Sequence, residues 1–134
     1  MKNKKEYPKK WWLAKTRADF NKMIRLIESD KNGFSKCVTC GVRKHYKEMN
    51  AGHYRHGLDF IRENQHNQCV KCNKYMSGNL AEYTLFMIDN YGRERVDEIM
   101  NMPKLKILTV DKLQQMRTEY RDKIKQIEDR MAGK

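Results

Sequence analysis

Two C-x-x-C pairs, Cys37-Val-Thr-Cys40 and Cys69-Val-Lys-Cys72, are separated by 28 residues and constrain this chain more than any other feature in it. Thiolates are soft ligands that suit tetrahedral zinc, and a two-residue spacer lets both sulfurs of a pair reach one ion at about 2.3 Å. Gly41 follows the first pair, where the chain has to turn sharply around a sulfur. A redox C-x-x-C normally stands alone beside a βαβ pattern, and no such pattern is present. Paired cysteines in a reducing compartment are metal ligands or catalytic groups more often than disulfides. We therefore expect Cys37, Cys40, Cys69 and Cys72 to hold one structural Zn²⁺. Four sulfurs close the coordination sphere, so this ion does no chemistry and serves to fix the two ends of the loop between the pairs. Residues 34–79 need such a staple. They are dense in Cys, His, Asn and Gly and poor in aliphatics, so burial alone gives them no core.

Helical patterning flanks this segment, which divides the chain into a basic N-terminal arm and helix (1–33), a zinc-binding core (34–80) and C-terminal helices (81–134). Residues 1–10 read as a flexible basic arm. The positions of Trp12, Phe20, Met23, Ile24 and Ile27 predict an amphipathic helix from about Trp11 to Glu28, stopped by Ser29-Asp-Lys-Asn-Gly33. Leu80, Tyr83, Phe86 or Met87, and Tyr91 share one helical face that Gly92 ends, and a short helix follows from Arg93 to Met100, before Pro103. Thr109 caps a last helix, with Asp111 in its first turn. Val110, Arg117, Ile124 and Met131 form one heptad register of that helix, and Leu113, Tyr120 and Ile127 the other. Such a stripe packs on the body of the domain or pairs two chains into a homodimer.

The formal net charge is +12, from 29 Lys and Arg against 17 Asp and Glu. Each phosphate neutralised by Lys or Arg releases condensed counterions, so this balance favours nucleic acid as the partner. No run of about 18 apolar residues is present to span a membrane, and no strongly basic helix has a Trp/Phe/Leu face to lie on one. The basic start leads into Trp11-Trp-Leu-Ala-Lys15, too short for a signal-peptide core, so a cytosolic protein is expected.

Three of the four histidines lie within fourteen residues of the loop, in Asn50-Ala-Gly-His53-Tyr54-Arg55-His56-Gly57 and Asn64-Gln-His66-Asn67-Gln68. The Gly-His-aromatic step, an Asn five residues before a Cys, and C-x-x-C-Asn together resemble the HNH, or His-Me finger, nucleases, in a form similar to recombination endonuclease VII. Ala51-Gly-His-Tyr54, Asn64-x-His66, Gln68-Cys-Val-x-Cys-Asn73, Tyr75-x-Ser-Gly-Asn-Leu80, Glu82-Tyr83 and Gly92-x-Glu-Arg-Val96 resemble more closely the phage NinG/Rap recombination proteins, from about Cys37 to about Val96. The resemblance implies an α+β fold, mainly helical, around a small zinc-stapled ββα-metal core. It also implies a structure-selective endonuclease that cuts branched DNA such as Holliday junctions or D-loops, in the cytosol of a phage host.

Site roles follow from that resemblance. His53 takes a proton from the attacking water, Asn73 gives a side-chain oxygen to a catalytic Mg²⁺ or Mn²⁺, and Asn64 orients the hairpin or holds the ring of His53. One departure stands out. Gly52 occupies the place where many HNH enzymes carry an Asp or His ligand, although Gly-His is also the NinG-like pattern. A second ligand then has to come from Asn50, His56, Asp59, Glu63 or His66, and His66 is preferred, then Asn50. Arg43, Lys44, Lys47, Arg55, Arg62, Lys71 and Lys74 are candidates for DNA phosphates, and Tyr54 and Tyr75 for stacking on an unpaired base. The same charge and zinc also suit a zinc-stabilised nucleic-acid-binding module without catalysis. A zinc-finger transcription factor would need a recognition helix with its own metal pair, which the sequence lacks.

Overall fold

The computed structural model describes residues 6–104 and 108–134, so the first five residues of the expected basic arm lie outside it. The chain is mainly helical with two small antiparallel sheets, an α+β fold. Helix α1 (Lys9–Ile27) precedes β1 (Phe34–Lys36), β2 (Arg43–His45), β3 (Met49–His53) and β4 (Gln65–Cys69). A widened helical turn over Lys71–Tyr75 leads to α2 (Leu80–Tyr91), α3 (Arg93–Asn101) and α4 (Val110–Met131). Among the described residues no helix is long and apolar enough to cross a membrane.

Helices α1 and α4 pack along their lengths and form the main apolar core. Phe20, Met23, Ile24 and Leu26 of α1 meet Ile124 and Ile127 of α4. Because α1 packs against α4 on one side and against β3 and β4 on another, its buried face is wider than a single stripe. Leu26 (1% exposed) takes the interior place that periodicity gives to Ile27, which is 37% exposed. The hydroxyl of Thr109 accepts from the Lys112 amide (3.1 Å) and caps α4 as expected. Leu113, Met116, Ile124 and Ile127 are buried, and Ile124 and Ile127 pack against α1 of the same chain. Arg117, the polar interruption of the heptads, bonds Asp19 at 2.8 Å and lies over the ring of Trp11 at 5.4 Å. Its place in an apolar register is thereby explained.

A second core joins the loop after β3 to the following helices: Tyr54 and Leu58 meet Tyr83 and Met87 of α2 and Val96 and Ile99 of α3. Gly92, at φ +83, ends α2 and opens α3, a backbone conformation that other residues adopt only at a cost.

Strand β4 lies in the segment too poor in aliphatics to form a core by burial alone, yet all five of its residues, Gln-His-Asn-Gln-Cys, are buried. Its polar side chains replace apolar packing with directed bonds. Gln65 Nε2 donates to Asn21 Oδ1 (2.7 Å) and to the Ala51 carbonyl (3.1 Å), and Asn67 Nδ2 to the Arg25 carbonyl (3.1 Å) and Ser35 Oγ (2.9 Å). Glu28 at the end of α1 accepts the Asn67 amide at 2.8 Å. β4 pairs with β3 in the register Met49↔Cys69, Gly52↔His66 and His53↔Gln65, so one ladder runs from the cysteines to His53.

Candidate metal centre and cleft

The first cysteine pair sits on a tight turn: the Cys37 amide donates to the Val42 carbonyl (2.8 Å) and the Gly41 amide to the Cys37 carbonyl (2.9 Å). The second pair straddles the end of β4 and the widened turn. The four sulfurs lie within 4.8 Å of one another, with Cys40 Sγ and Cys69 Sγ 3.6 Å apart. Sulfurs at the corners of a zinc tetrahedron stand about 3.8 Å apart, given Zn–S bonds of about 2.3 Å. Met49 closes the apolar side of the cluster. Burial pushes the Cys37 thiol up, but the Thr39 hydroxyl and the amides of Cys69, Cys40 and Thr39 outweigh it and hold the thiol at about 6. Burial also pushes the Cys69 thiol up. At Cys40 the Val42 amide lowers the thiol, yet burial and the three other sulfurs raise it to about 12. Four sulfurs this close do not all ionise unaided, and a divalent cation removes that conflict. Donor set and spacing fit a structural metal such as zinc.

Beside the cluster lies an open cleft of about 820 Å³, lined by Asn21, Arg25, Asn50, His53, His56, Asn73 and Lys74 among others. His53 ends β3, and its Nε2 lies 3.0 Å from Asp59 Oδ1. The other oxygen of Asp59 accepts from Arg17 at 2.8 Å. A carboxylate in this position accepts an N–H and thereby fixes the tautomer in which Nδ1 carries the lone pair. Asp59 is held in place by its neighbour Phe60, whose φ of +63 is in the left-handed region. The Phe60 ring anchors between Phe20 (5.7 Å) and Tyr120 (6.3 Å) of the α1–α4 core, which offsets that strain.

Asn64 is fully buried, and its side-chain hydrogen bonds go to the backbone after β3 and not to His53. Its Oδ1 accepts the Arg55 amide (2.8 Å), and its Nδ2 donates to the Arg55 (3.0 Å) and Leu58 (2.8 Å) carbonyls, which holds the turn after β3. Gly52 is required by close approach: a Cβ there would lie 1.9 Å from Gln68 Oε1 and 2.9 Å from Asn73 Oδ1. The Tyr83 hydroxyl donates to the Gly52 carbonyl at 2.7 Å. The site thus has no room for the Asp or His that many HNH enzymes carry here.

His66, the preferred second ligand, stands elsewhere. It lines a different groove, with Nδ1 2.6 Å from Glu28 Oε2 and Nε2 3.0 Å from the Tyr91 hydroxyl and 3.1 Å from the Glu63 carbonyl. Both ring nitrogens are occupied, so it serves as a buried tie between α1, β4 and α2. Asn50 and His56 do line the cleft, whereas Glu63 is held by Arg95 at 2.6 Å.

The expected phosphate-binding residues divide in the same way. Arg55 is committed to the C-terminal end of α3, donating to the carbonyls of Ile99 and Met102. Arg62 bonds Glu28 (3.1 Å) and the Gln65 carbonyl (3.1 Å) beside the other groove. Arg43 pairs with Asp30 at 2.9 Å but stays 61% exposed. Lys44, Lys47, Lys71 and Lys74 are exposed, and of these Lys74 lines the cleft. Tyr75 is 75% exposed and free to stack, whereas Tyr54 is buried with its hydroxyl 2.9 Å from Thr84 Oγ1.

Sequence reasoning missed what α1 contributes. Arg17, Asn21 and Arg25 recur every fourth residue, the spacing of one helical face. Arg17 steadies Asp59, while Asn21 and Arg25 line the cleft. Burial draws the Arg25 pKa down, against the influence of Tyr46, and among the described residues no carboxylate pairs with it. A half-buried, unpaired guanidinium at a cleft is a ready anion contact.

A family model described as Bacteriophage Lambda NinG protein matches residues 1–130. The chain is 33% identical over 127 residues to Protein ninG of Salmonella phage P22, covering 91% of this chain and 60% of that protein. To Protein ninG of Escherichia phage lambda it is 32% identical over 125 residues, covering 90% and 59%. To that of Enterobacteria phage H19B it is 35% identical over 97 residues, covering 69% and 46%. The chain thus spans about three fifths of the length of the first two relatives. No solved structure matches it.

Proposed function

We propose that this chain, which belongs to the NinG family, is a metal-dependent endonuclease that cuts branched DNA during phage recombination. The observation that carries this reading is the His53–Asp59 pair, 3.0 Å apart, in a cleft that Asn73 also lines. The succession of β3 with His53 at its end, Asn64 directly before β4, and Asn73 in the helical turn after β4 supports a ββα-metal arrangement of HNH type.

In hydrolysis, a water attacks the phosphorus, the P–O bond to the leaving oxygen breaks, and one proton passes from the water to a base. His53 Nδ1 takes that proton, and Asp59 stabilises the imidazolium that forms through its bond to Nε2. Arg25 and Lys74 bind phosphate oxygens from the cleft wall. Asn73 would hold Mg²⁺ or Mn²⁺, which would supply positive charge to the phosphate and leaving oxygens. The exposed ring of Tyr75 offers an unpaired base at a branch a stacking surface.

The test is incubation of the zinc-loaded protein with four-way-junction and linear duplex DNA, with Mg²⁺, Mn²⁺ or a chelator, beside His53→Ala and Asp59→Asn. Cleavage of the junction with metal is expected, with kcat lowered about 10²- to 10⁴-fold in His53→Ala. Asp59→Asn lowers kcat with little change in KM. Binding without cleavage under every metal would leave a zinc-stabilised nucleic-acid-binding module and remove the enzyme. Full activity in His53→Ala would remove the assigned base.

A further inference from the structure

Gln68 is fully buried in β4, one residue before the second cysteine pair. Its Nε2 donates to the Gly78 carbonyl (2.8 Å) and to Thr39 Oγ1 (3.2 Å). Those bonds fix the amide, because turning it over would set its oxygen against a carbonyl oxygen. Oε1 therefore points away from them, and it is buried with no hydrogen-bond partner. An unpaired buried oxygen is costly and rare enough to require a cause.

That oxygen stands in the space that the missing side chain of Gly52 leaves. A Cβ at residue 52 would stand 1.9 Å from Gln68 Oε1 and 2.9 Å from Asn73 Oδ1. Two amide oxygens thus converge beside the one residue of β3 that lacks a side chain, one of them, that of Asn73, belonging to a residue that lines the cleft with His53. Asn67 Oδ1, the other unpaired buried oxygen, belongs to the next residue of β4 and so to the opposite face of the ladder.

Resting on the nuclease reading of this cleft, we infer that Gln68 Oε1 is the second protein ligand of the catalytic divalent cation, beside Asn73 Oδ1. Two neutral oxygens suit a hard ion that keeps several of its waters, as Mg²⁺ and Mn²⁺ do, and leave zinc to the thiolates. Gly52 supplies clearance in place of a ligand. Because the pair carries no charge, the free protein holds the cation weakly, and a bound phosphate oxygen supplies the missing anionic ligand.

The inference is tested on the full, zinc-loaded chain without DNA, by titrating Mn²⁺ and following its free-ion electron paramagnetic resonance signal. Zinc content and far-ultraviolet circular dichroism are measured on each variant. Wild type binds one Mn²⁺ weakly; Gln68→Met weakens this by about 10- to 100-fold, and Gln68→Glu, which adds charge at the same atom, strengthens it by about tenfold or more. Gln68→Glu decides the matter if Gln68→Met does not fold. Unchanged Mn²⁺ affinity in a folded Gln68→Met, or no gain in a folded Gln68→Glu, overturns the assignment. If Asn73→Ala alone loses Mn²⁺ while junction cleavage by the wild type persists, only the role of Gln68 falls. No Mn²⁺ bound and no cleavage by the wild type removes the nuclease reading together with it.

Discussion

At residue 52 the backbone of β3 passes so close to Gln68 and Asn73 that the smallest side chain would overlap an amide oxygen. The glycine is therefore a requirement of packing, and its lack of a ligand is made up by what it lets approach. Gly52→Ala is expected to lower stability by ~1–3 kcal/mol through overpacking, measured by urea denaturation of the zinc-loaded protein. Gly52→Asp, which would copy the ligand that many HNH enzymes carry, is expected to destabilise at least as much and to raise no activity above wild type. A Gly52→Asp protein as stable as wild type would refute the crowding. At this scale the sequence named His53, Asn64 and Asn73, because each belongs to a recognisable local order. Asp59 and Arg25 escaped it: Asp59 was weighed only as a metal ligand, and Arg25 reaches the cleft from α1, which is remote in sequence. Their roles depend on tertiary contacts that no local pattern records.

At the scale of elements, α2, α3 and the cap of α4 are legible because glycine, threonine and apolar spacing act over one or two helical turns. β4 is illegible for the opposite reason. Its buried Gln, His and Asn residues look like a solvated loop until their partners on α1 and β1 are known. The sulfur cluster fixes the end of that strand at Cys69, so stripping the zinc with a strong chelator is expected to melt β1–β4 while much helix remains. Amide hydrogen exchange would report this as lost protection at residues 49–53 and 65–69. Protection in those strands that survives complete zinc loss would refute it. A second element-scale tie is the Glu63–Arg95 pair, linking the end of the β3–β4 loop to α3. Arg95 holds the Glu63 carboxyl below the ordinary glutamate range, against a weaker push from burial. This stabilisation is full above the ordinary range, near pH 4.3, and is lost as pH falls through the lowered value. The stability gap between wild type and Glu63→Gln is therefore expected to close on acidification below about pH 4, as urea denaturation at a series of pH values would show.

At the scale of the whole molecule, the charge of +12 is a better guide to a partner than to a binding surface. Arg55 and Arg62 are spent on internal carbonyls and on Glu28, so they add little to phosphate binding. DNA affinity is expected to fall linearly in log–log plots against salt. Arg25→Ala and Lys74→Ala should each reduce the slope by about 1, whereas Arg62→Ala should leave it unchanged while lowering stability. An unchanged slope in both cleft variants would place the DNA elsewhere.

The ladder from Cys69 to Gln65 adds a consequence for assembly. Its Met49↔Cys69 end lies at the sulfurs and its His53↔Gln65 end at the cleft, four residues or about 14 Å away. Side chains alternate along a strand, so a slip of one residue would turn His53 to the opposite face. A metal held by the sulfurs at one end would therefore set the phase of the ladder. A chain that closed its cysteines around the wrong partner strand position would keep four sulfurs, a net positive charge and its helices, and have no His53 in the cleft.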